Sequence, residues 1–457
     1  MRTFVWLPLL VALNIHATAT LEVYRGVVPQ KDYDEYGFAL DAIFGVCIRL
    51  QAMLNQSTPR NFVVSPVSAT VIVAQLLLGA EGEFKDHLYD LLSLPEYLQH
   101  RYSIKYPNKN NESSTLYHAK FHFHLSSLLK KLQKRKDGEE FTLNQSNALF
   151  YNEELTLNAY FKRFMKSFYN SEITPLNFST DTTSTINDWC SNHTNGLIKN
   201  IVSAPPDEST SAIFLNSIYF LAEWETPFAD VLNRVEPFHV TENHTVTTTY
   251  MQGIIPDVPY AKTSEYKLVC LPYLNYELGM YVLLPREDHP YKYDINKFFE
   301  SLNPGEVLTT VTLAKIREAT VKIPKLSLSN TLRLLEPLQK YAEYKKVKSQ
   351  PKNDKDAIEF IEQRVKEFQN FTTPVKQEVY LTAAAEGEGL RVSDIVQQMV
   401  FSINEKGTEA AAVTAGITDY MGGSKVMVLD RPFTFFILHE ATKAILFWGN
   451  IVDPSQT

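Results

Sequence analysis

Ile403-Asn404-Glu405-Lys406-Gly407-Thr408-Glu409-Ala410-Ala411-Ala412-Val413-Thr414-Ala415-Gly416-Ile417-Thr418-Asp419-Tyr420 is the stretch on which the reading of this chain turns. Taken alternately, Thr408, Ala410, Ala412, Thr414, Gly416 and Thr418 make one small, uncharged face, while Glu409, Val413 and Asp419 lie on the other. A strand with such a face and no proline can enter the middle of a sheet. Proline would forfeit a ladder hydrogen bond, and a charge on that face would be buried without a partner. On these residues alone a flexible alanine-rich linker is the competing reading.

Working outward, Asp430-Arg431-Pro432-Phe433 leads into an apolar block through Phe447, Gly449 and Pro454. Upstream lie Asn216-Ser217-Ile218-Tyr219-Phe220 with Trp224, Pro227 and Phe228, then Thr194-Asn195-Gly196, Asn147-Ala148-Leu149-Phe150 and Ser65-Pro66-Val67-Ser68. With these motifs in unbroken order from Tyr33 to Pro454, the chain closely resembles the serpin family of serine protease inhibitors. The resemblance implies a single α+β domain over residues 20–457, with about nine helices, three β-sheets and an exposed reactive-centre loop over residues 405–429. It implies an inhibitor with no catalytic residues of its own. An extracellular serine protease acylates itself on the loop in a one-to-one covalent complex, and the cleaved loop enters the main sheet as an extra strand. The alternative is a non-inhibitory member acting as carrier or chaperone; the small hinge residues favour inhibition.

The same resemblance assigns residues. Glu405, Lys406, Gly407, Thr408, Glu409, Ala410, Ala411 and Ala412 match the hinge of inhibitory members. Ser65, Pro66, Ser68, Asn216, Trp224 and Gln397 fall in the shutter and breach. The family spacing makes Gly407 the fifteenth residue before cleavage, which places the reactive bond at Met421-Gly422. Tyr420 and Lys425 are the alternatives; cleavage after Lys425 would lengthen the insertable arm by four residues and favour turnover over trapping. Val413 departs from the small residues usual at its position. Lys130, Lys131, Lys134, Arg135 and Lys136 cluster where the family carries a glycosaminoglycan-binding helix, so a sulfated polyanion is the one cofactor-like ligand to consider, against a plain solvated helix.

The 457 residues are 44% hydrophobic, enough for a large core, and the formal charge of -8 argues against nucleic acid as the main partner. Residues 1–19 read as a secretory signal: Arg2, an apolar run from Phe4 to Leu13, and Ala17-Thr18-Ala19 as the cleavage site. Removing it takes away Arg2 and no other charge. No later stretch is long and apolar enough for a membrane span, and a secreted, monomeric protein is expected. Cys47, Cys190 and Cys270 are too few for a disulfide scaffold and read as buried hydrophobes. Seven sequons occur; Asn55, Asn111, Asn177, Asn192, Asn243 and Asn370 are expected to carry glycans. Asn144 is set apart because Phe141–Tyr151 reads as a strand in a packed sheet, without room for a sugar.

Enzyme signatures are missing: the sequence contains no G-x-S-x-G, H-E-x-x-H, CxxC or P-loop pattern. His439-Glu440 has Lys443 where a zinc motif needs histidine, and reads as a structural pair. His122 and His124 read as alternating strand positions with no third metal ligand, hence as solvated histidines. Helices are expected over Tyr33–Leu54, Val71–Gly79 and Leu125–Arg135, and strands over Phe141–Tyr151, Ser211–Leu221, Lys267–Tyr273 and Gly279–Pro285. Residues 345–389 read as an enlarged surface insertion. Within it Ala357, Ile358, Ile361, Val365 and Phe368 form one helical stripe, and Thr382–Gly389 is a small-residue run.

Overall fold

The computed structural model describes residues 21–54, 60–95, 97–98, 104–107, 113–116, 119–133, 141–194, 196–339, 378–408 and 425–456. In chain order the helices are α1 (21–27), α2 (Gln30–Leu54), α3 (Pro66–Gly79), α4 (Gly82–Leu91), α5 (Ala119–Gln133), α6 (Ala159–Tyr169), α7 (Thr183–His193), α8 (Ile295–Ser301), α9 (Pro304–Leu313) and α10 (335–339). The strands are β1 (Phe62–Val64), β2 (Ile104–Pro107), β3 (Ser113–Leu116), β4 (Phe141–Asn152), β5 (Glu172–Leu176), β6 (Ala212–Glu223), β7 (Arg234–Thr241), β8 (His244–Lys262), β9 (Tyr266–Pro272) and β10 (Leu278–Pro285). They continue with β11 (Lys315–Pro324), β12 (Leu326–Arg333), β13 (Val379–Leu381), β14 (Leu390–Val392), β15 (Asp394–Ile403), β16 (Gly407–Thr408), β17 (Lys425–Val428), β18 (Phe433–His439) and β19 (Ile445–Ile451).

Helix α3 explains why the rest gathers where it does. Ser65 caps it, its Oγ accepting from the Ser68 N–H at 3.3 Å, and Pro66 opens the first turn, where a missing N–H costs nothing. Every residue of α3 except Leu78 is buried, so it runs through the core and not along a surface. It lies behind a six-stranded sheet of order β12-β15-β6-β4-β5, to which β16 adds on β6. The remaining large sheet runs β1-β19-β18-β10-β9-β8-β11-β17 with β7 on β8. Read as two sheets sharing the long β8, it makes three large sheets in a mixed α+β fold, beside the two-stranded pairs β13-β14 and β2-β3. No described helix is long and apolar enough to cross a membrane.

Alternation along β6 separates two cores. Phe214, Ile218, Phe220 and Ala222 face the main core on the α3 side, whereas Ile213 and Leu215 face a smaller one under α7 with Ala148, Phe150, Ile186, Trp189, Cys190 and Val396. Helix α7 is also tied to the edge of the sheet, where the Trp189 indole N–H donates to Glu172 of β5 at 2.8 Å. Phe220 joins the six-stranded sheet to the other, 5.7 Å from Tyr273 and 5.0 Å from Phe447 between ring centres.

Several expectations change. His122 and His124 lie on helix α5, which starts six residues before the expected Leu125 because Ala119, Phe121 and His122 are themselves buried on its inner face. His122 is fully buried against the Tyr169 hydroxyl, not solvated, and burial pushes its imidazole down to about 3, so it stays neutral. Burial likewise lowers His124, to about 4, with Lys120 adding to the shift. The small-residue run Thr382–Gly389 is packed down. It closes the β13-β14 hairpin and is held down by Ala383 N–H to Gly79 C=O and Asn158 N–H to Ala384 C=O, at 3.1 and 2.8 Å. Residues 340–377, with the apolar stripe, lie outside the described residues, as does the leader at 1–19. All three cysteines are free and buried, and burial pushes the Cys190 thiol up to about 12. His439 and Glu440 are structural: His439 bonds Thr442, and Glu440 accepts from Tyr281 at 2.8 Å and from Lys443.

Because Phe220 couples the two large sheets, Phe220→Ala is expected to destabilise the fold by about 3–5 kcal/mol, read as a lower midpoint in denaturant with an unchanged slope.

Candidate functional site

The site begins with an unusual neighbour relation. Strands β15 and β6 are adjacent and parallel, in register from Asp394 opposite Ile213 to Val400 opposite Tyr219, while their outer neighbours β12 and β4 run antiparallel to them. Beyond Ile403 the chain turns back. Asn404 N–H donates to Gly407 C=O at 2.8 Å and Gly407 N–H to Asn404 C=O at 3.2 Å, so β16 leaves the turn antiparallel to β6. Gly407 pairs with Glu223 and Thr408 with Ala222. Only glycine fits there: its φ is 152°, and a Cβ would stand 2.0 Å from the Ala222 carbonyl oxygen.

Trp224 is the frame for this turn. It is 2% exposed and stacked on Tyr273 at 4.4 Å. Its backbone N–H donates to Lys406 C=O at 2.8 Å and its indole N–H to Asn404 C=O at 3.0 Å, while Phe228 N–H donates to Glu405 C=O at 2.7 Å. The Glu405 carboxylate is held by Lys325 and by the Asn233 amide. Burial alone would raise this carboxyl; the hydrogen bonds from Lys325, its own backbone and Asn233 outweigh it and keep Glu405 below the usual carboxylate range. Lys325, Asn233 and Tyr273 were not picked out from the sequence, and no local signal marks them, since each is distant from the hinge along the chain.

Midway down the seam the contacts become polar. Gln397 on β15 stands opposite Asn216 on β6. Its side-chain oxygen accepts from the Ser65 N–H at 3.3 Å and its amide donates to the Ser65 C=O at 3.4 Å. Asn216 donates to Asn147 at 2.9 Å, and Asn147 in turn to the Tyr169 C=O at 3.1 Å. One row on, Gln398 stands opposite Ser217, on the other face of the sheet. Among the described residues Ser68 Oγ, Asn216 Oδ1 and Ser217 Oγ have no hydrogen-bond partner although all three side chains are buried. Such groups cost about 1–3 kcal/mol each, so the seam is a place where the fold is held less well than it can be. The structure thus brings Ser65, Pro66, Ser68, Asn216 and Gln397 together, and Trp224 with Glu405, Lys406, Gly407 and Thr408.

Other predicted positions are not gathered here. Glu409 through Ala412, Tyr420, Met421 and Gly422 lie outside the described residues. Lys425 is the first residue of β17 and pairs with Ala319, so the Lys425-Val426 bond is already within a ladder. Lys130 and Lys131 close α5, and Lys131 donates to Asp32 at 3.1 Å, which commits part of its charge; Lys134, Arg135 and Lys136 are outside. Asn177, Asn192 and Asn243 are exposed, whereas Asn55, Asn111 and Asn370 are outside. Asn144 is exposed as well, contrary to expectation.

A family model described as "Serpin (serine protease inhibitor)" matches residues 42–454. Serine protease inhibitor 2 of Anopheles gambiae is 25% identical over 405 residues, covering 86% of this chain and 87% of the relative. Alpha-1-antiproteinase of Rattus norvegicus is 26% identical, covering 88% and 86%. Among solved structures, human thyroxine-binding globulin with thyroxine superposes with a TM-score of 0.70 at 20% identity over 92% of this chain and 99% of that one. The thermophilic serpin tengpin in its native state gives 0.68 at 20% identity, covering 92% and 93%.

The Glu405 contacts set a pH dependence. A depressed carboxyl stabilises the native hinge above its unfolded value of roughly 4.3 and loses that contribution as pH falls through the folded value. In wild type, amide exchange at Trp224 and Phe228, corrected for its intrinsic pH dependence, should therefore accelerate on acidification through this range. Glu405→Gln should already exchange about tenfold faster at neutral pH, matching one lost charge-assisted bond of about 1.5 kcal/mol, and should show no acid step.

Proposed function

The chain belongs to the serpin family, and on that premise we propose that it is a secreted suicide-substrate inhibitor of a serine protease in an extracellular proteolytic cascade of the immune, melanisation or clotting type. The observation that carries this reading is the register of β16. Antiparallel pairing of Gly407 with Glu223 and of Thr408 with Ala222, continued without a bulge, sets Ala410 opposite Phe220, Ala412 opposite Ile218, Thr414 opposite Asn216 and Gly416 opposite Phe214. Those β6 residues face the main core except Asn216, which faces the shutter. The small, uncharged face of the loop is thus the one that would turn inward.

The same register gives the loop a reason to enter. A strand between β6 and β15 would be antiparallel to both, replacing one parallel pairing with two of the slightly stronger kind. Thr414 would arrive between Asn216 and Gln397, where its hydroxyl can serve the unpartnered Asn216 Oδ1. Val413 would lie on the opposite face, between Ser217 and Gln398. Thr418 would reach Ala212, the first residue of β6, so Met421 would clear the far end of the sheet after a travel of roughly 45 Å.

In the proposed reaction the protease serine attacks the Met421 carbonyl, its proton passes through the protease histidine to the Gly422 nitrogen, and the peptide bond is exchanged for an ester. Insertion then drags the ester-linked enzyme to the far end. Distortion of its oxyanion hole removes the preorganised donors on which deacylation depends. Met421, like Tyr420, suits an apolar primary pocket. Cleavage after Lys425 would need β17 to leave its partner β11.

Mixing the full chain with chymotrypsin, elastase or trypsin is expected to give a denaturant-stable complex and a released peptide beginning at Gly422. Cleavage of the loop without any stable complex would speak for a non-inhibitory member. Thr414→Arg would bury an unpaired charge in the shutter and should turn the inhibitor into a substrate, cleaved at an undiminished rate with the trapped fraction reduced at least tenfold.

A further inference from the structure

The sequon Asn144-Gln145-Ser146 lies in β4, and its exclusion rested on both faces of the sheet being packed. They are not alike. Leu143, Asn147 and Leu149 turn toward the α3 side and are buried, while Asn144, Ser146, Ala148 and Phe150 turn toward the other face. On that face α7 covers only part of the sheet: Ala148 and Phe150 belong to the small core with Ile186, Trp189 and Cys190. Asn144 stands four residues before Ala148 along β4, about 13 Å away. There its side chain is exposed, and its carboxamide has no hydrogen-bond partner among the described residues. Around it the same face is incompletely covered. Thr142 beside it, Leu221 on β6, and Val400 and Ser402 on β15 are half-buried, and only Tyr219, directly opposite Asn144, is largely enclosed.

We propose that Asn144 carries an N-linked oligosaccharide that stands on this open part of the six-stranded sheet. In an exported chain the sugar is transferred before the strand forms, so the later position of Ser146 in the sheet is no obstacle. What the native fold must supply is an outward Asn144, and it does. In the transfer, Asn144 Nδ2 displaces the pyrophosphate of a lipid-pyrophosphate-linked oligosaccharide from C1 of its first sugar. A C–N bond forms as the C–O bond breaks, and one amide proton leaves with the pyrophosphate.

The position also bears on inhibition, and this part rests on the function proposed above. The α3 side of the sheet is closed by the main core, so an enzyme tethered to the inserting loop must cross the other face. Asn144 lies one strand from the β6-β15 seam and, level with Tyr219, three residues or about 10 Å below Ala222, where the hinge enters. An oligosaccharide rooted there flanks the track of the enzyme. It slows the crossing and shifts the balance from trapping toward release of cleaved inhibitor.

The full chain, expressed in a secretory eukaryotic host, is released from its N-glycans by an amidase in heavy-oxygen water, and its peptides are read by mass spectrometry. Labelled aspartate at position 144 is expected. Asn144→Gln and Ser146→Ala, the latter keeping the asparagine, should each lose one glycan's mass. An unmodified Asn144 beside modified Asn177 or Asn243 overturns the site alone; no modification at any sequon overturns the site together with the export reading. Occupancy is decided whether or not any protease is trapped. With a trapped protease, the number of inhibitor molecules consumed per complex should fall at least twofold toward one in both variants and stay unchanged in Asn243→Gln. An unchanged number in the two variants, with Asn144 occupied, overturns the effect on the crossing while leaving the sugar in place.

Discussion

The parallel pairing of β15 with β6 is the constraint on which the rest depends. Two parallel strands side by side, each antiparallel to its outer neighbour, leave one topological position open: a strand between them running the other way. The chain supplies that direction immediately, because the turn at Asn404–Lys406 reverses it and lays Gly407 and Thr408 on the end of β6. The seam is closed by backbone pairing but carries buried polar side chains on both faces, Gln397 and Asn216 on one and Gln398 and Ser217 on the other. Apolar side chains there would have sealed it more firmly. Polar ones leave groups that a new strand can satisfy.

Around this seam the supports divide into two sets. Trp224, Phe228, Asn233 and Lys325 hold the hinge at the entrance, chiefly through backbone carbonyls and the Glu405 carboxylate. Ser65, at the mouth of α3, holds Gln397 halfway down through two long hydrogen bonds. Neither set blocks the plane of the sheet. Both hold the flanking strands in a closed position, which the proposed insertion would have to open. Helix α7, anchored on the β4-β5-β6 side through Trp189 and Glu172 and reaching β15 through Val396, spans the seam on the open face.

Much of this was legible from the residues. The alternating small face of Thr408 to Thr418 fits an insertable strand as well as a flexible linker, and it is the resemblance that favours the strand; the register of Gly407 and Thr408 on β6, extended along it, would turn that face inward. The apolar run Val71–Gly79, legible as a helix, is part of the core helix α3. What failed did so for physical reasons. His122 and His124, two residues apart, fit a strand as well as a helix, and only the buried Phe121 and the Tyr169 hydroxyl decide it. Thr382–Gly389, legible only as a small-residue run, takes its role from close packing against Gly79, which composition alone does not reveal. Asn144 sits in a strand whose pattern reads as part of a packed sheet, whereas coverage by α7 ends short of it. Lys325 and Asn233 could not be found, since a single lysine and asparagine carry no mark of the carboxylate they will meet.

The proposed inhibition requires a native state that is not the most stable arrangement of this chain. Its most direct test is to cleave the reactive-centre loop once, leave both fragments associated, and compare the thermal unfolding of the cleaved and intact protein by circular dichroism. The account predicts a transition at markedly higher temperature after cleavage, as the freed loop takes the place between β6 and β15. Coincident transitions, or a lower one after cleavage, would contradict it.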